Sequence, residues 1–237
     1  WSDGRNTIEE MLAACAGRGY EYLALTDHSQ ALAMARGLDE ERLAEQWREI
    51  DEVRAAHPEI RLLAGLEVDV LADGSLDLAD DMLERLDLVV VSVHSRFELS
   101  AAEQTRRIVR ALEHPQVNVL AHPTGRLINR RKPYDFDLEE VLACARENRV
   151  AVELNASPER LDLRDVHLAR ARELGVPVVI STDAHAVHHL GFVRYGVEQA
   201  RRAWLEPCHV VNAWPLPEVL SFLRKEPAAT GYNGGDA

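Results

Sequence analysis

Residues 181–185 (STDAH) place a carboxylate and an imidazole directly after the apolar run 176–180. The run is rich in β-branched residues and therefore predicts a buried strand. Asp183 and His185 are two positions apart, so an extended backbone would point both side chains to the same side. Charge at the end of a buried strand is costly unless a metal ion, a partner charge or a substrate compensates it. Taken alone, the pair could bind one ion.

The same arrangement recurs along the chain. Five other apolar runs each end in a side chain that can bind a metal or a substrate: His28, Glu67, His94, His122 and Asn155. Any single histidine could instead be a hydrogen-bonded structural residue, and Asn155 could be structural or face a substrate. Four histidines at matching positions, together with Glu67 and Asp183, favour a metal centre, because imidazole and carboxylate suit Zn²⁺, Mn²⁺ or Fe²⁺. So many ligands imply more than one ion, and a carboxylate such as Glu67 can bridge two ions for displacement at phosphorus.

The elements that would position these residues are six predicted strands alternating with helices. They include strands at residues 21–25 and 61–66 and a helix at residues 76–85. This order is typical of parallel βα units, which form either a barrel or an open doubly wound sheet. The polar residues end all six strands rather than clustering at one switch point, which favours a barrel. The 237 residues suit one such unit. We predict a single domain over residues 1–226 and a disordered tail over 227–237.

Composition narrows the choice of partners and compartment. The formal charge of −13 offers no generally basic surface for nucleic acid, although a local basic patch remains compatible with it. Cys15, Cys144 and Cys208 are odd in number and widely spaced, which predicts reduced core thiols of a cytoplasmic protein. No apolar run is long enough to span a membrane, and no signal peptide is evident. The chain begins at Trp1 without a methionine, so we expect it to be a piece of a longer protein.

Several motifs in fixed order resemble those of the polymerase and histidinol phosphatase (PHP) domain family. They lie at residues 1–4 (WSDG), 25–29 (LTDHS), 65–67 (GLE), 92–95 (SVHS), 121–123 (AHP) and 181–185 (STDAH). The phrases at 122–126 (HPTGR), 132–135 (KPYD), 153–156 (ELNA) and 194–196 (RYG) are more similar to the C-terminal PHP domain of bacterial and archaeal family X DNA polymerases. Asp3 stands where many phosphatase members have histidine. The resemblance covers residues 1–225.

The resemblance implies a distorted (βα)7 barrel of the TIM-like class, with two or three divalent ions, Mn²⁺ or Zn²⁺, in its mouth. The implied ligands are Asp3, His28, Glu67, His94, His122, Asp183 and His185. They divide into a first site (Glu67 and Asp183 with a His-x-His motif), a second (Glu67, His94 and His122) and a third (Asp3, His28 and His185). The His-x-His motif belongs shortly before residues 1–4, so the first barrel strand is expected to be missing from this chain. Asp183 and His185 would then serve different ions, and Glu67, Asp183 and His28 are the expected catalytic residues.

Three arginines near the predicted mouth, Arg126, Arg131 and Arg160, are candidates for binding a phosphodiester, because a guanidinium presents a planar fork to phosphate oxygens. They could equally form a solvated face together with the basic run at residues 130–132. The resemblance implies a 3′→5′ exonuclease, with related abasic-site and 3′-end cleaning activity, attached to an upstream polymerase domain and acting on DNA repair intermediates. Two alternatives stay open. One is a small-molecule phosphatase of the histidinol-phosphatase type, and the other is a non-catalytic structural barrel.

Overall fold

Six parallel strands form the centre of the protein, whose computed structural model describes residues 1–226. The predicted tail at 227–237 therefore lies outside the described residues. The strands are β1 (Tyr22–His28), β2 (Arg61–Asp69), β3 (Leu88–Ser92), β4 (Val119–Leu120), β5 (Ala151–Asn155) and β6 (Val178–Ser181). They pair in sequence order, each parallel to the next. This arrangement confirms the predicted α/β class and its parallel βα units.

Within residues 1–226, eight α-helices precede, connect and follow the strands. They are α1 (Ile8–Ala16), α2 (Glu40–Ala56), α3 (Asp80–Leu83), α4 (Ala101–Leu112), α5 (Leu138–Glu147), α6 (Asp165–Glu173), α7 (Val193–Arg202) and α8 (Leu216–Leu223). Side chains fix several of their starts, as at α4, where Ser100 and Glu103 form a capping box. None of the helices within residues 1–226 is long and apolar enough to cross a membrane.

The sheet is curled, and its two ends approach each other without pairing. In the part of the chain that the structure describes, β1 and β6 do not pair with each other. The outer edge of β6 instead pairs with the segment around residue 210, through an isolated bridge between Val178 and Val210. The Asn212 side chain also donates to Ile180 O and accepts from Ile180 N. The curl encloses a cavity of about 670 Å³ lined by residues of several strands, including β1 and β6. Six strands with one gap match the expected barrel without its first strand.

Alternation along β2 separates the core from the site. Leu62, Leu66 and Val68 face the helices and are fully buried among apolar side chains. Leu63 and Glu67 face the other way and line the interior cavity. Because successive side chains of a strand point to opposite faces, the same strand supplies both the packing layer and the carboxylate of the site.

Three sequence predictions need correction. The helix predicted over residues 76–85 is present only as α3, because Gly74, with a φ of +88°, allows a tight turn in which Leu71 N bonds to Ser75 O and Leu76 bridges to Val70. The strands β1 and β2 continue beyond residues 25 and 66, so their site residues lie within strands rather than after them. Cys208 was predicted to be a core thiol but is exposed, in the short 3₁₀-helix Pro207–His209.

Candidate metal centre

Glu67 on β2 turns its carboxylate toward three imidazoles. Its Oε1 lies 2.9 Å from His122 Nε2 and 3.4 Å from His94 Nε2. Its Oε2 lies 3.5 Å from His28 Nδ1. The ring centroids of His28 and His94 are 5.3 Å apart, and those of His94 and His122 are 5.1 Å apart. The three predicted histidines and the predicted glutamate therefore form one cluster.

Parallel pairing brings this cluster together. His28 and Glu67 are direct neighbours in the register of β1 and β2. His94 follows the end of β3, and His122 follows the end of β4 with a φ of +26°. The carboxyl ends of parallel strands share one edge of the sheet, so residues far apart in sequence meet there. This is the arrangement that the strand-end pattern predicted.

The electrostatics of the cluster favour an ionised carboxylate. Burial on its own raises the pKa of Glu67, but the hydrogen bond from His122 and the charges of His94 and His28 outweigh it and hold the pKa well below its ordinary value. Burial, reinforced by the charge of Arg160, lowers the pKa of His122. An anionic carboxylate and a neutral imidazole are the forms in which these side chains bind metals.

Two further observations show that these residues fit a divalent ion. Among residues 1–226, His28 Nδ1 and His122 Nδ1 are buried without a hydrogen-bond partner, and a buried nitrogen of this kind is costly unless something satisfies it. One ligand atom from each of His28, Glu67 and His94 lies within 4.8 Å of the others. Imidazole nitrogen and carboxylate oxygen are donors that Zn²⁺ and Mn²⁺ accept.

A second group of three lies beside the first and shares His28 with it. Ligand atoms of Asp3, His28 and His185 lie within 4.8 Å of one another, and Asp3 Oδ2 is 3.3 Å from His185 Nε2. The hydrogen bond from His185 to Asp3, against the effect of burial, raises the pKa of His185 to about 9. The pKa of Asp3 is lowered, because His185 and His28 outweigh the effect of burial. The ligand set that the resemblance implied for a third ion is thus present.

Asp3 is held in place by a residue that sequence reasoning did not single out. Asp27, on the outward side of β1, accepts hydrogen bonds at 2.6 Å from both the backbone N and the Oγ of Ser2. Its other oxygen accepts from Gln46 Nε2 of α2, also at 2.6 Å. Arg5 N donates to His185 O at 2.9 Å. The first residues are therefore fixed against both β1 and the segment after β6.

Asp183 lies apart from the two groups of three. It accepts a hydrogen bond from Asn155 Nδ2 at 3.1 Å. It also forms an ion pair with Arg160, whose Nε lies 3.3 Å from Asp183 Oδ2. Its Oδ1 is 3.6 Å from His185 Nδ1. Among the described residues, neither group of three ligand atoms includes Asp183. Its assignment to a first metal site with Glu67 stays a prediction.

Two buried carboxyls of the site were missed by sequence reasoning. Asp69 Oδ1 lies 2.7 Å from His94 Nδ1 and orients that ring, an interaction that commonly aligns metal-binding histidines. Glu153 on β5 accepts from His122 N and from Ser181 Oγ. Each sits two positions from a residue that was singled out, Glu67 or Asn155, on the same side of its strand. Extending the period-two pattern along each strand would have found both.

Burial, reinforced by the charge of Asp183, raises the pKa of Glu153 to about 8. Glu153 is therefore mainly protonated at neutral pH and can donate to one neighbour while accepting from another. It joins the residue after β4 to the end of β6 beneath the imidazole cluster. This link fixes the backbone of His122.

The three predicted substrate-binding arginines differ in what they contact. Arg126 donates through Nε to Arg160 O at 2.8 Å and through Nη2 to Leu161 O, so it holds the loop that carries Arg160. Arg131 donates to Gly125 O at 2.8 Å and lies over the Phe97 ring at 4.1 Å from its centroid. Both guanidinium groups thus have structural contacts. Substrate binding by either one stays a prediction.

Arg160 has the contacts that best suit a phosphate-binding group. It pairs with Asp183, and its charge lowers the pKa values of His122 and Arg131, so it lies close to the imidazole cluster. Its Nη1 is buried without a hydrogen-bond partner among residues 1–226. A buried charged donor without a partner is costly, and an anionic ligand would satisfy it.

Comparison with known proteins gives the family. The PHP domain family matches residues 1–157, about two thirds of the chain. This chain belongs to the PHP domain family. The match ends before Asp183 and His185, which the fold nevertheless brings to the same mouth.

The relatives of this PHP domain include a polymerase and phosphatases. The DNA polymerase/3′-5′ exonuclease PolX of Bacillus subtilis is 46% identical over 225 residues, which are 95% of this chain but 40% of that protein. The chain therefore spans well under half of the PolX length. A probable phosphatase of Thermoanaerobacter pseudethanolicus is 24% identical over 95% of this chain and 91% of its own length.

A solved structure supports the fold. The histidinol phosphate phosphatase of Lactococcus lactis, a complex with zinc, L-histidinol and phosphate, superposes with a TM-score of 0.60 at 16% identity, over 86% of this chain and 90% of that one. At this identity the likeness concerns the fold alone. It confirms the predicted PHP-type barrel.

Proposed function

We propose that this PHP domain is a metal-dependent phosphodiesterase that acts on DNA 3′ ends. The observation that carries the proposal is the Glu67 carboxylate facing three imidazoles, with Arg160 close beside it. The proposed ligands of two or three Mn²⁺ or Zn²⁺ ions are Asp3, His28, Glu67, His94, His122, Asp183 and His185. When bound, such ions would supply hydroxide from water near neutral pH and offset charge on phosphate oxygens.

The residues of this chain would divide the remaining work. Glu67 has one oxygen toward His94 and His122 and the other toward His28, and it would hold the ions together with these imidazoles. Glu67, Asp183 and His28 are the residues that we propose as catalytic. Arg160 would bind a phosphate oxygen through its unpartnered Nη1, and Asp183 would orient that guanidinium until a metal or substrate replaces the ion pair. Arg126 would act by holding the Arg160 loop.

The choice of DNA as substrate is supported by three observations. The similarity to PolX extends over 95% of this chain at 46% identity. Asp3, which stands where many phosphatase members have histidine, contacts His185 in the second ligand group. Three arginines lie around the loops after β4 and β5. We therefore propose that the domain works in a cytoplasmic family X repair polymerase, on gapped or abasic intermediates, with a polymerase domain upstream.

The gap between β1 and β6 has a place in this proposal. A strand bearing the His-x-His motif would enter the gap, complete the barrel and add ligands beside Glu67 and Asp183. The apolar lining of the cavity at this gap, which includes Leu23, Leu25 and Val179, suits such a strand.

The test is 3′-end degradation of a recessed oligonucleotide by the purified full-length protein, which includes the upstream segment, in Mn²⁺. Glu67→Ala should abolish degradation, because it removes the carboxylate that all three imidazoles face. Glu52→Ala, at an exposed position of α2, is the matched control and should retain full activity. The proposal fails if the parent protein degrades no 3′ end or if Glu67→Ala is as active as the parent.

A small-molecule phosphatase is the second candidate, because this chain spans 91% of the length of a probable phosphatase relative. Turnover of histidinol phosphate, compared with that of the recessed oligonucleotide, separates the two functions. A protein that hydrolyses only the small substrate would establish the phosphatase. A purified protein without bound transition metal by elemental analysis would instead favour a non-catalytic barrel.

A further inference from the structure

A row of aromatic rings leads away from the metal centre along the rim of the barrel. It consists of His185, His189, Phe192 and Tyr195, and we call it the rim row. The centroids of His185 and His189 are 6.4 Å apart. His189 and Phe192 are stacked at 4.9 Å with 18° between their planes. Phe192 and Tyr195 are 6.2 Å apart. The row is therefore continuous from a proposed metal ligand to the start of α7.

The backbone holds the rim row at the mouth. His189 Nδ1 accepts a hydrogen bond from His185 N at 3.2 Å, which ties the second ring to the ligand group. Gly196, next to Tyr195, packs so closely that an added Cβ would lie 2.5 Å from Ile180 Cγ2 and 2.9 Å from Ala156 Cβ. Those two residues lie at the carboxyl ends of β6 and β5. The close approach fixes the start of α7 at the same edge of the sheet as the metal centre.

An arginine flanks the outer end of the rim row. The Arg194 guanidinium lies 4.6 Å from the centroid of the Tyr195 ring. His189, Phe192 and Tyr195 are only half-buried, so part of each ring is open to solvent. Half-exposed rings beside a guanidinium suit a planar ligand with an anionic backbone.

We propose that the rim row is a stacking platform for unpaired bases at the 3′ end of a single DNA strand. The inference rests on the proposed function and specifies how the substrate is held. Every base has a flat face that can stack on an aromatic ring, and only unpaired bases present that face freely. Four rings with neighbouring centroids 4.9–6.4 Å apart offer more aromatic surface than one small phosphoester would cover. The platform would therefore favour a strand over a small molecule.

The test measures binding of a single-stranded oligonucleotide with 2-aminopurine near its 3′ end, whose fluorescence is quenched by stacking. The oligonucleotide carries phosphorothioate linkages to slow hydrolysis, and Mn²⁺ is present. Phe192→Leu and Tyr195→Leu keep apolar bulk but remove a ring. Because stacking contributes about 1–3 kcal/mol per base, and 1.4 kcal/mol is about tenfold in affinity, each should weaken binding by about 5- to 100-fold and reduce quenching.

Two controls separate stacking from a general loss of structure. Tyr20→Leu removes an exposed ring just before β1, at the opposite end of the barrel, and should leave binding unchanged. Phe192→Trp keeps an aromatic ring at this position and should therefore keep the quenching that Phe192→Leu loses. Replacing the terminal bases by abasic residues should weaken binding to the parent protein but have little further effect on Phe192→Leu, since the partners of one interaction are not additive.

The outcomes distinguish this inference from the proposed function. The ratio of the affinities for normal and abasic strands is the deciding quantity. If this ratio is the same for Phe192→Leu and Tyr195→Leu as for the parent, the stacking platform is wrong even when the parent degrades 3′ ends. If the parent shows quenching and discriminates against abasic strands but degrades no 3′ end, the platform stands and the proposed activity fails. A parent without quenching overturns the platform directly.

Discussion

Replacing Glu153 by glutamine should make the metal-free protein more resistant to alkaline pH. Glu153 joins His122 N to Ser181 Oγ, and its pKa is raised from its ordinary 4.5 to about 8, chiefly by burial and then by Asp183. Between these two values the folded protein binds a proton that the unfolded chain has lost. The free energy of unfolding therefore falls as pH rises through that window.

The size of the effect follows from the width of the window. Each pH unit between the two pKa values costs about 1.4 kcal/mol, so the fall approaches about 4 kcal/mol near pH 8, and about 2 kcal/mol would already be measurable. Glutamine has the shape of the protonated acid, with one oxygen to accept from His122 N and an NH₂ to donate to Ser181 Oγ. The variant should match the parent at pH 5 and exceed it by about 2–4 kcal/mol at pH 8.

Urea unfolding in EDTA, followed by circular dichroism at several pH values, measures this difference. Glu52→Gln on the exposed face of α2 is the matched control and should follow the parent at every pH. The reasoning would be refuted if Glu153→Gln were less stable than the parent at pH 5 and by the same or a larger amount at pH 8, because Glu153 would then be ionised in the fold.

Three further substitutions test other parts of the structure. Asp69→Asn removes the carboxylate that orients His94 and should weaken Mn²⁺ binding by about 10- to 100-fold; unchanged affinity by titration calorimetry would exclude that role. Arg107→Met should destabilise by about 3 kcal/mol in urea unfolding, because this buried guanidinium serves three backbone carbonyls. Gly196→Ala should cost about 1–3 kcal/mol by overpacking against Ile180, and a variant as stable as the parent would show that α7 can shift freely.

The strand ends could be predicted because they combine two strong signals. A run such as residues 88–93 is apolar on both faces except at Ser92, which is typical of a strand buried on both sides. Apolar packing does not explain the histidine that follows it, which therefore indicates a polar site at the end of the strand. Parallel pairing then determines that such residues meet, so His28, Glu67, His94 and His122 were placed together without any structural information. The prediction depended on fold-level geometry rather than on local propensity.

The residues that surround the ligands could not be predicted in this way. Asp27 looks like part of the motif beside His28, yet it points to the other side and serves Ser2 and Gln46. Arg126 has the residue type of a phosphate-binding group but contacts backbone carbonyls. A sequence gives the type and the strand position of a side chain, whereas its partner depends on how loops pack, which short motifs do not encode.

The contact between the first residues and the segment after β6 has a kinetic consequence. Asn6 Oδ1 accepts a hydrogen bond from Val187 N, two residues that are 181 positions apart in the chain. Contacts of such high sequence separation close very long loops and form late in folding. During synthesis, the ligand group of Asp3, His28 and His185 cannot assemble until nearly all of the barrel has left the ribosome. Nascent intermediates would thus lack this ligand group, and its assembly would mark the completed fold.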